Sequence, residues 1–270
     1  MADVTPALTA AVEAIMREAN ARAILPRYQS LAGHEIVSKA ADDVVTVADR
    51  ESEDILGEKL GALLPDALIV GEEAAHADPA VLDRLNDRLC WIIDPLDGTN
   101  NFAAGTAPFG VLVALADGGK AIGGWILDSL TGRFCHAGTG TGAWIDGQRV
   151  TSRGSGEALP VAGISTLFMN PEERVKVQTG IAPFYRLVDI PRCAAEQYPR
   201  LVLGQNDVSV FQRTLPWDHA AGVLFLNEAG GRAARLDGSD YRVDEHGRKG
   251  MIGAATPALW DELAARIDSL

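Results

Sequence analysis

The chain concentrates residues able to do chemistry in one twelve-residue run, Trp91-Ile92-Ile93-Asp94-Pro95-Leu96-Asp97-Gly98-Thr99-Asn100-Asn101-Phe102. Residues 89–93 have the length and β-branched content of a buried strand. Two carboxylates then follow three positions apart, with a proline between them. Pro95 fixes its own φ and holds Asp94 extended, so the spacing predicts a strand that stops abruptly and presents both acids at its carboxyl end. Gly98 permits a tight turn, and the N–H groups after it can meet an anion if a helix starts there. Two acids beside an anion cradle are compatible if cations stand between them and a phosphate. Two further acidic clusters point the same way: Glu72-Glu73 after a short apolar run, and Asp218 after Pro216-Trp217. Each alone reads as an ordinary turn or helix cap. Together they form an oxygen-rich set suited to Mg²⁺, which is held by carboxylates, water and substrate phosphate.

The elements that must position these residues follow from the hydrophobic pattern. Thr5-Pro6 starts a helix, with Leu8, Val12, Ile15, Met16 and Ala19 on one face, running to about Leu25 before Pro26. The polar stretch 33–48 reads as a loop or short hairpin. A second helix carries Ile55, Leu56, Leu60, Leu63 and Leu64 and ends near Pro65. Residues 68–70 form a strand, and residues 74–87 read as a polar, mobile, acidic segment. After the motif, residues 110–116 and 121–127 form a hairpin around Asp117-Gly118-Gly119-Lys120, and residues 133–137 and 143–150 continue the meander. Residues 152–159 connect two halves, about 1–151 and 160–270. The second half alternates: strands near 161–165, 186–189, 208–211, 231–236 and 251–254, and helices near 171–182, 194–203 and 217–229. Thr256-Pro257 opens a last helix. The expectation is a layered α/β (α+β) arrangement.

Composition limits the function classes. The 270 residues are 47% apolar, 23% charged and 6% aromatic, which is ordinary for a globular protein. A net charge of −13 excludes general nucleic-acid binding, which needs a basic face. It leaves a phosphate substrate open, because bound cations invert a local field. No apolar run approaches membrane-spanning length, and the start lacks a secretory pattern. Cys90, Cys135 and Cys193 show no metal-type spacing and are an odd number, so a reducing cytoplasm is expected.

The motifs Gly71-Glu72-Glu73, Asp94-Pro-Leu-Asp-Gly-Thr99, Pro216-Trp-Asp-His-Ala-Ala-Gly222 and Glu228-Ala-Gly-Gly231, with Asp43 to Asp49 upstream, resemble those of the inositol monophosphatase family of metal-dependent, lithium-sensitive sugar phosphatases. They occur in the family's order across nearly the whole chain. The resemblance implies a single αβαβα sandwich over residues 1–270, a homodimer, and hydrolysis of inositol monophosphate or a similar small phosphate ester. It implies two or three Mg²⁺ ions, one held by Glu72, Asp94 and the carbonyl of Leu96, another by Asp94, Asp97 and Asp218, and a weaker one near Glu72. Metals about 3.5–4 Å apart can polarise both attacking and leaving oxygens. Asp49 and Thr99 resemble the pair that orients the attacking water and accepts its proton. The N–H groups of Gly98 and Thr99 are expected to receive phosphate oxygens, with Asp97, Ala194 and Asp218 beside the substrate.

Two departures from the family fall on substrate recognition. Inositol enzymes carry a glutamate seven residues before the last metal aspartate, where this chain has Phe211. They also present a Gly-Ser/Thr-Ala segment to the ring, where this chain has Arg192-Cys193-Ala194-Ala195. Histidinol-phosphate, fructose-1,6-bisphosphate and 3′-phosphoadenosine-phosphate phosphatases of the same family are therefore alternatives, as is a non-catalytic phosphate-binding protein on the same fold. A haloacid-dehalogenase-type motif does not fit, because its aspartates stand two positions apart.

Overall fold

The computed structural model describes residues 4–31, 35–40, 43–86, 89–165 and 169–269. Helix α1 (Pro6–Ala19) starts where the Thr5 hydroxyl accepts the Leu8 N–H at 3.1 Å, and wider and tighter helical turns carry it to Arg27. Strands β1 (Ile36–Ala40) and β2 (Asp43–Thr46) pair as a hairpin and deliver the chain into α2 (Val47–Leu63).

The main sheet has seven strands in the order β3-β4-β5-β6-β7-β8-β9. These are β3 (Leu68–Gly71), β4 (Leu89–Asp97), β5 (Gly110–Asp117), β6 (Lys120–Asp128), β7 (Phe134–Gly138), β8 (Gly142–Ile145) and β9 (Gln148–Val150). Strand β3 runs parallel to β4, and the rest is the antiparallel meander that the turn signals indicated. Side chains alternate across the sheet with a period of two. Trp91 and Ile93 of β4 meet Val12, Met16, Leu56 and Leu60 of α1 and α2. Cys90 and Ile92 face the opposite way, toward α6 (Ala194–Val202) and α7 (Pro216–Glu228).

Beyond α6 and α7 lies a five-stranded sheet, order β11-β10-β12-β14-β13: β10 (Val161–Ile164), β11 (Arg186–Val188), β12 (Val208–Phe211), β13 (Arg232–Arg235) and β14 (Met251–Ala254). Its outer face is closed by α8 (Pro257–Asp268) and by the turns that follow α5 (Pro171–Lys176), through Val177, Ile181, Trp260 and Leu263. The layers are α, β, α, β, α, as expected.

Two local expectations are corrected. The segment after β3 is helical: α3 (Glu72–Ala77) is followed by a tight helix at Pro79–Asn86, and Ala75, Val81 and Leu85 join the core with Val70 and Ile92. Apolar residues interrupted by Asp78, Pro79 and Asp83 carry little periodic signal, and tertiary packing decided. The motif strand also does not stop at Asp94. It reaches Asp97 through a bulge, since Asp94 pairs with Leu112 and Asp97 with Gly110, three steps against two. Pro95 sits inside that bulge, where a missing N–H costs the ladder nothing.

Helices α6 and α7 pack closely because Gly222 lies against the Tyr198 ring, in the space a Cβ would occupy. Tyr198 is fully buried and has no room to retreat. Gly222→Ala is expected to destabilise the fold by about 2 kcal/mol or more, read as a lowered urea midpoint.

Candidate active site

The end of β4 presents both motif aspartates. Within the bulge Asp94 Oδ1 accepts the Leu96 N–H at 3.1 Å. Asp97 Oδ2 accepts the Ala195 N–H at 2.6 Å and the Cys193 thiol at 3.1 Å, so it caps α6 and ties the first sheet to the second half. Gly98 adopts φ 82°, and a Cβ there would come within 2.9 Å of the Pro108 carbonyl oxygen, a place only glycine can fill. Gly98 is the N-cap of the short helix α4 (Thr99–Ala103), and Thr99 is its first residue rather than its cap. The Thr99 hydroxyl has one proton and two acceptors within reach, Asp49 Oδ1 at 3.0 Å and the Leu96 carbonyl at 2.8 Å.

Asp49 is not the solvated first-turn carboxylate that its helix position alone suggests. It is 1% exposed, and its Oδ2 accepts from the Thr46 N–H at 2.8 Å and the Thr46 hydroxyl at 2.6 Å. Other supports went unrecognised in the sequence. Ser52 Oγ donates to the Pro95 carbonyl at 2.8 Å, fastening α2 to the bulge. The Glu53 carboxylate accepts the Glu73 and Ala74 N–H groups, each at 2.8 Å, and lies against Gly71, so it fixes the start of α3 beside Glu72. Asn101 Nδ2 donates to the Pro108 and Pro191 carbonyls at 2.7 and 2.9 Å, tying α4 to the loop before α6. The available signal was spacing: Asp49 and Glu53 stand at i and i+4 on one helix face.

The electrostatics are those of crowded acids. Burial, then the charges of Glu72, Asp97, Asp218 and Asp49, raise the Asp94 carboxyl well above its ordinary range. Burial outweighs donated hydrogen bonds at Asp97 and pushes it up to about 6, and does the same to Asp49. Asp218, in the first turn of α7, has the Arg213 guanidinium 4.0 Å away. Among the described residues, no three acid, imidazole or thiol groups already stand in metal-ligand geometry. Like charges repel, and a bound cation would compensate the ionised groups if they converged on one point. The donor set is all hard oxygen, and fits a hard divalent ion.

These groups share a cavity of about 460 Å³. Glu72, Asp94, Asp97, Gly98, Thr99 and Asp218 line it, as do Arg192, Ala194 and Phe211. Asp49 is reached through Thr99, and Leu96 is buried behind it. The Phe211 ring stacks on Tyr198, centroids 5.4 Å apart, and meets His219 edge-on at 4.8 Å. His219 is a core group: Nδ1 faces the Tyr198 hydroxyl at 2.7 Å, Nε2 faces the Arg213 carbonyl at 3.0 Å, and burial lowers it to about 3. The Lys39 side chain and His34 lie outside the described residues.

Fold and site define a layered α/β protein with buried acids gathered at a strand end, and the chain belongs to the inositol monophosphatase family, whose family model matches residues 3–269. It is 31% identical over 247 residues to the Arabidopsis thaliana protein named Phosphatase IMPL1, chloroplastic, a match covering 87% of this chain and 65% of that one. An inositol-1-monophosphatase of Mycobacterium bovis is 31% identical over 233 residues, 83% of this chain and 78% of its own. In fold, the chain is similar to the extragenic suppressor protein suhB of Bartonella henselae, with a TM-score of 0.80, 24% identity, and 96% and 98% of the two chains covered.

The raised acids set a pH dependence in metal-free protein. A carboxyl at about 6 when folded and 3.8 when free binds more protons in the folded state between those values. Its contribution to stability therefore falls as pH rises through that window. In chelator, wild type should lose stability relative to Asp97→Asn between about pH 4 and 6.5, measured by urea unfolding across pH.

Proposed function

We propose that this protein is a Mg²⁺-dependent phosphomonoesterase that hydrolyses small phosphate esters with a metal-activated water. The observation that carries the reading is Asp94, fully buried in the field of four other carboxylates and next to the Thr99–Asp49 pair. A cation relieves that field at neutral pH without dispersing the site, as protons do at lower pH. Glu72, Asp94 and the Leu96 carbonyl would hold one ion, Asp94, Asp97 and Asp218 a second, and a third would sit near Glu72. When bound, Mg²⁺ supplies Lewis-acid polarisation of the phosphate and a more acidic water.

The chain's own residues do the rest. The Thr99 hydroxyl accepts a hydrogen bond from the attacking water and passes its proton to Asp49 Oδ1, on which it already bears. Asp49 is held in place by its two bonds from Thr46, so the acceptor is positioned before the reaction. The Gly98 and Thr99 N–H groups at the start of α4 receive phosphate oxygens. Ala194 and Phe211 form the wall against the leaving alcohol, with Arg192 at its edge.

Phe211 replaces an acceptor with an apolar face, and an apolar wall discriminates weakly among hydroxylated substrates. The expected range is broad, with myo-inositol 1-phosphate accepted but not strongly preferred. The halves, about 1–151 and 160–270, act as one domain because α6 and α7 pack between both sheets. A homodimer in the cytoplasm completes the reading, with no nucleic-acid or membrane partner. No helix among the described residues is long and apolar enough to cross a membrane.

The test is steady-state kinetics with Mg²⁺ over inositol, histidinol, sugar and nucleotide phosphates. Phosphate binding without turnover of any ester would identify a non-catalytic protein instead. A preference for inositol phosphate above roughly a hundredfold would overturn the reading of Phe211. Asp97→Asn and Asp218→Asn should abolish turnover at ordinary Mg²⁺. Thr99→Ala should lower kcat by about 10²–10⁴ and leave metal affinity, measured by calorimetry, within a few-fold.

A further inference from the structure

The cavity also carries two basic residues to which the phosphatase reading gives no bond. Arg192 and Arg213 are both exposed and both line it, in a chain whose net charge is −13. Arg192 makes no hydrogen bond or ion pair among the described residues. It sits at φ 54°, in the left-handed region that a long side chain occupies only under strain. It therefore presents its charge at the cavity mouth without a local contact to account for that backbone. Arg213 comes to the same cavity from the loop before α7, with its guanidinium 4.0 Å from the Asp218 carboxylate. Its carbonyl faces His219 Nε2 at 3.0 Å, which fixes the backbone from which the side chain leaves.

The wall between adds a second, buried feature. Gln197 lines the cavity, is 3% exposed, and has its Nε2 donating to Ser209 Oγ at 2.6 Å. Its Oε1 has no hydrogen-bond partner, and a buried polar atom left alone costs stability unless something else meets it. A ligand hydroxyl can satisfy that amide in either orientation, since a hydroxyl both donates and accepts. A cavity of about 460 Å³ has room for a small ligand that meets both the acids and the arginines.

We propose that Arg192 and Arg213 form an anion-recognition rim, and that the preferred substrates are hydroxylated phosphomonoesters carrying a second anionic group, carboxylate or phosphate, held by that rim while Gln197 receives a hydroxyl. This rests on the phosphatase reading, which assigns the first phosphate to the carboxylate end. The pairing is charge-assisted, and guanidinium is the side chain best shaped to hold a planar or branched anion.

Matched esters test it. 3-Phosphoglycerate differs from glycerol 3-phosphate by a carboxylate in place of a hydroxymethyl group. Fructose 1,6-bisphosphate differs from fructose 1-phosphate by a second phosphate. With Mg²⁺, kcat/KM should favour the doubly anionic member of at least one pair by on the order of tenfold, and whichever pair responds tells which anion the rim takes. Arg192→Gly is the decisive variant, because glycine suits φ 54° and its thermal midpoint should not fall. In Arg192→Gly/Arg213→Gln the preference should shrink to about twofold or less, and added salt should erode it in wild type. Gln197→Leu should weaken both members of each pair alike.

Calorimetric affinities of the same esters for Mg²⁺-loaded Asp49→Asn separate binding from turnover. An arginine-dependent binding preference, with no ester hydrolysed by wild type, would keep the rim and overturn the phosphatase reading. Equal kcat/KM and equal affinity within both pairs, or a preference that survives in the double arginine variant, would overturn the rim.

Discussion

The constraint on which this molecule depends is mutual repulsion among buried carboxylates. Asp94 is fully enclosed, and Glu72, Asp97, Asp218 and Asp49 all act on it unfavourably. Removing an ion from water costs several kcal/mol even after relaxation. Fully burying one large apolar side chain returns about 1.5–3 kcal/mol. A strand end bearing such acids must therefore be held by an extensive core. It is: Trp91, Ile93 and Trp125 are fully buried against α1 and α2, and Ile92 packs toward α6 and α7 on the other face.

Short polar ties then convert that packing into geometry. Ser52 holds the Pro95 carbonyl, Asp97 caps α6, and Asn101 joins α4 to two loops. Glu53 does for α3 what Asp97 does for α6, offering a carboxylate to unpaired N–H groups at a helix start. Each tie binds backbone groups of a neighbouring segment, while Thr99 and Asp49 face one another. Elements from both halves thus converge on one cavity, which neither half encloses alone.

The other side of that cavity obeys a different logic. Tyr198, Phe211 and His219 form an aromatic cluster whose polar atoms are satisfied internally, through the Tyr198 hydroxyl and the Arg213 carbonyl. A neutral imidazole in that cluster adds no charge of its own. The contrast between an acidic floor and a wall that is apolar with basic residues at its edge is a property of this chain's residues, placed on a scaffold it shares with its family.

The sequence by itself determined most of the layered order. Strand alternation in residues 110–127, the capped starts at Thr5 and Thr256, and the full-length run of motifs are local signals, set by backbone and side-chain chemistry within a few residues. The resemblance of its motifs to the family's also singled out Asp49, Glu72, Asp94, Asp97, Thr99 and Asp218; the last five line one cavity, and Asp49 lies behind Thr99. What the sequence could not convey lies in contacts between distant segments. The helix at 79–86 forms because Val81 and Leu85 find a core supplied by β3 and β4. The bulge at Pro95 exists only in register with β5. Asp49 is dry because the Thr46 cap and the Thr99 hydroxyl close over it, across 50 residues of chain in the second case. Arg213 reaches the cavity through a loop whose path is fixed by His219 and by the packing of α7. Burial, and with it the charge state of every acid in the site, is decided by which distant atoms exclude water, and only the tertiary structure specifies those.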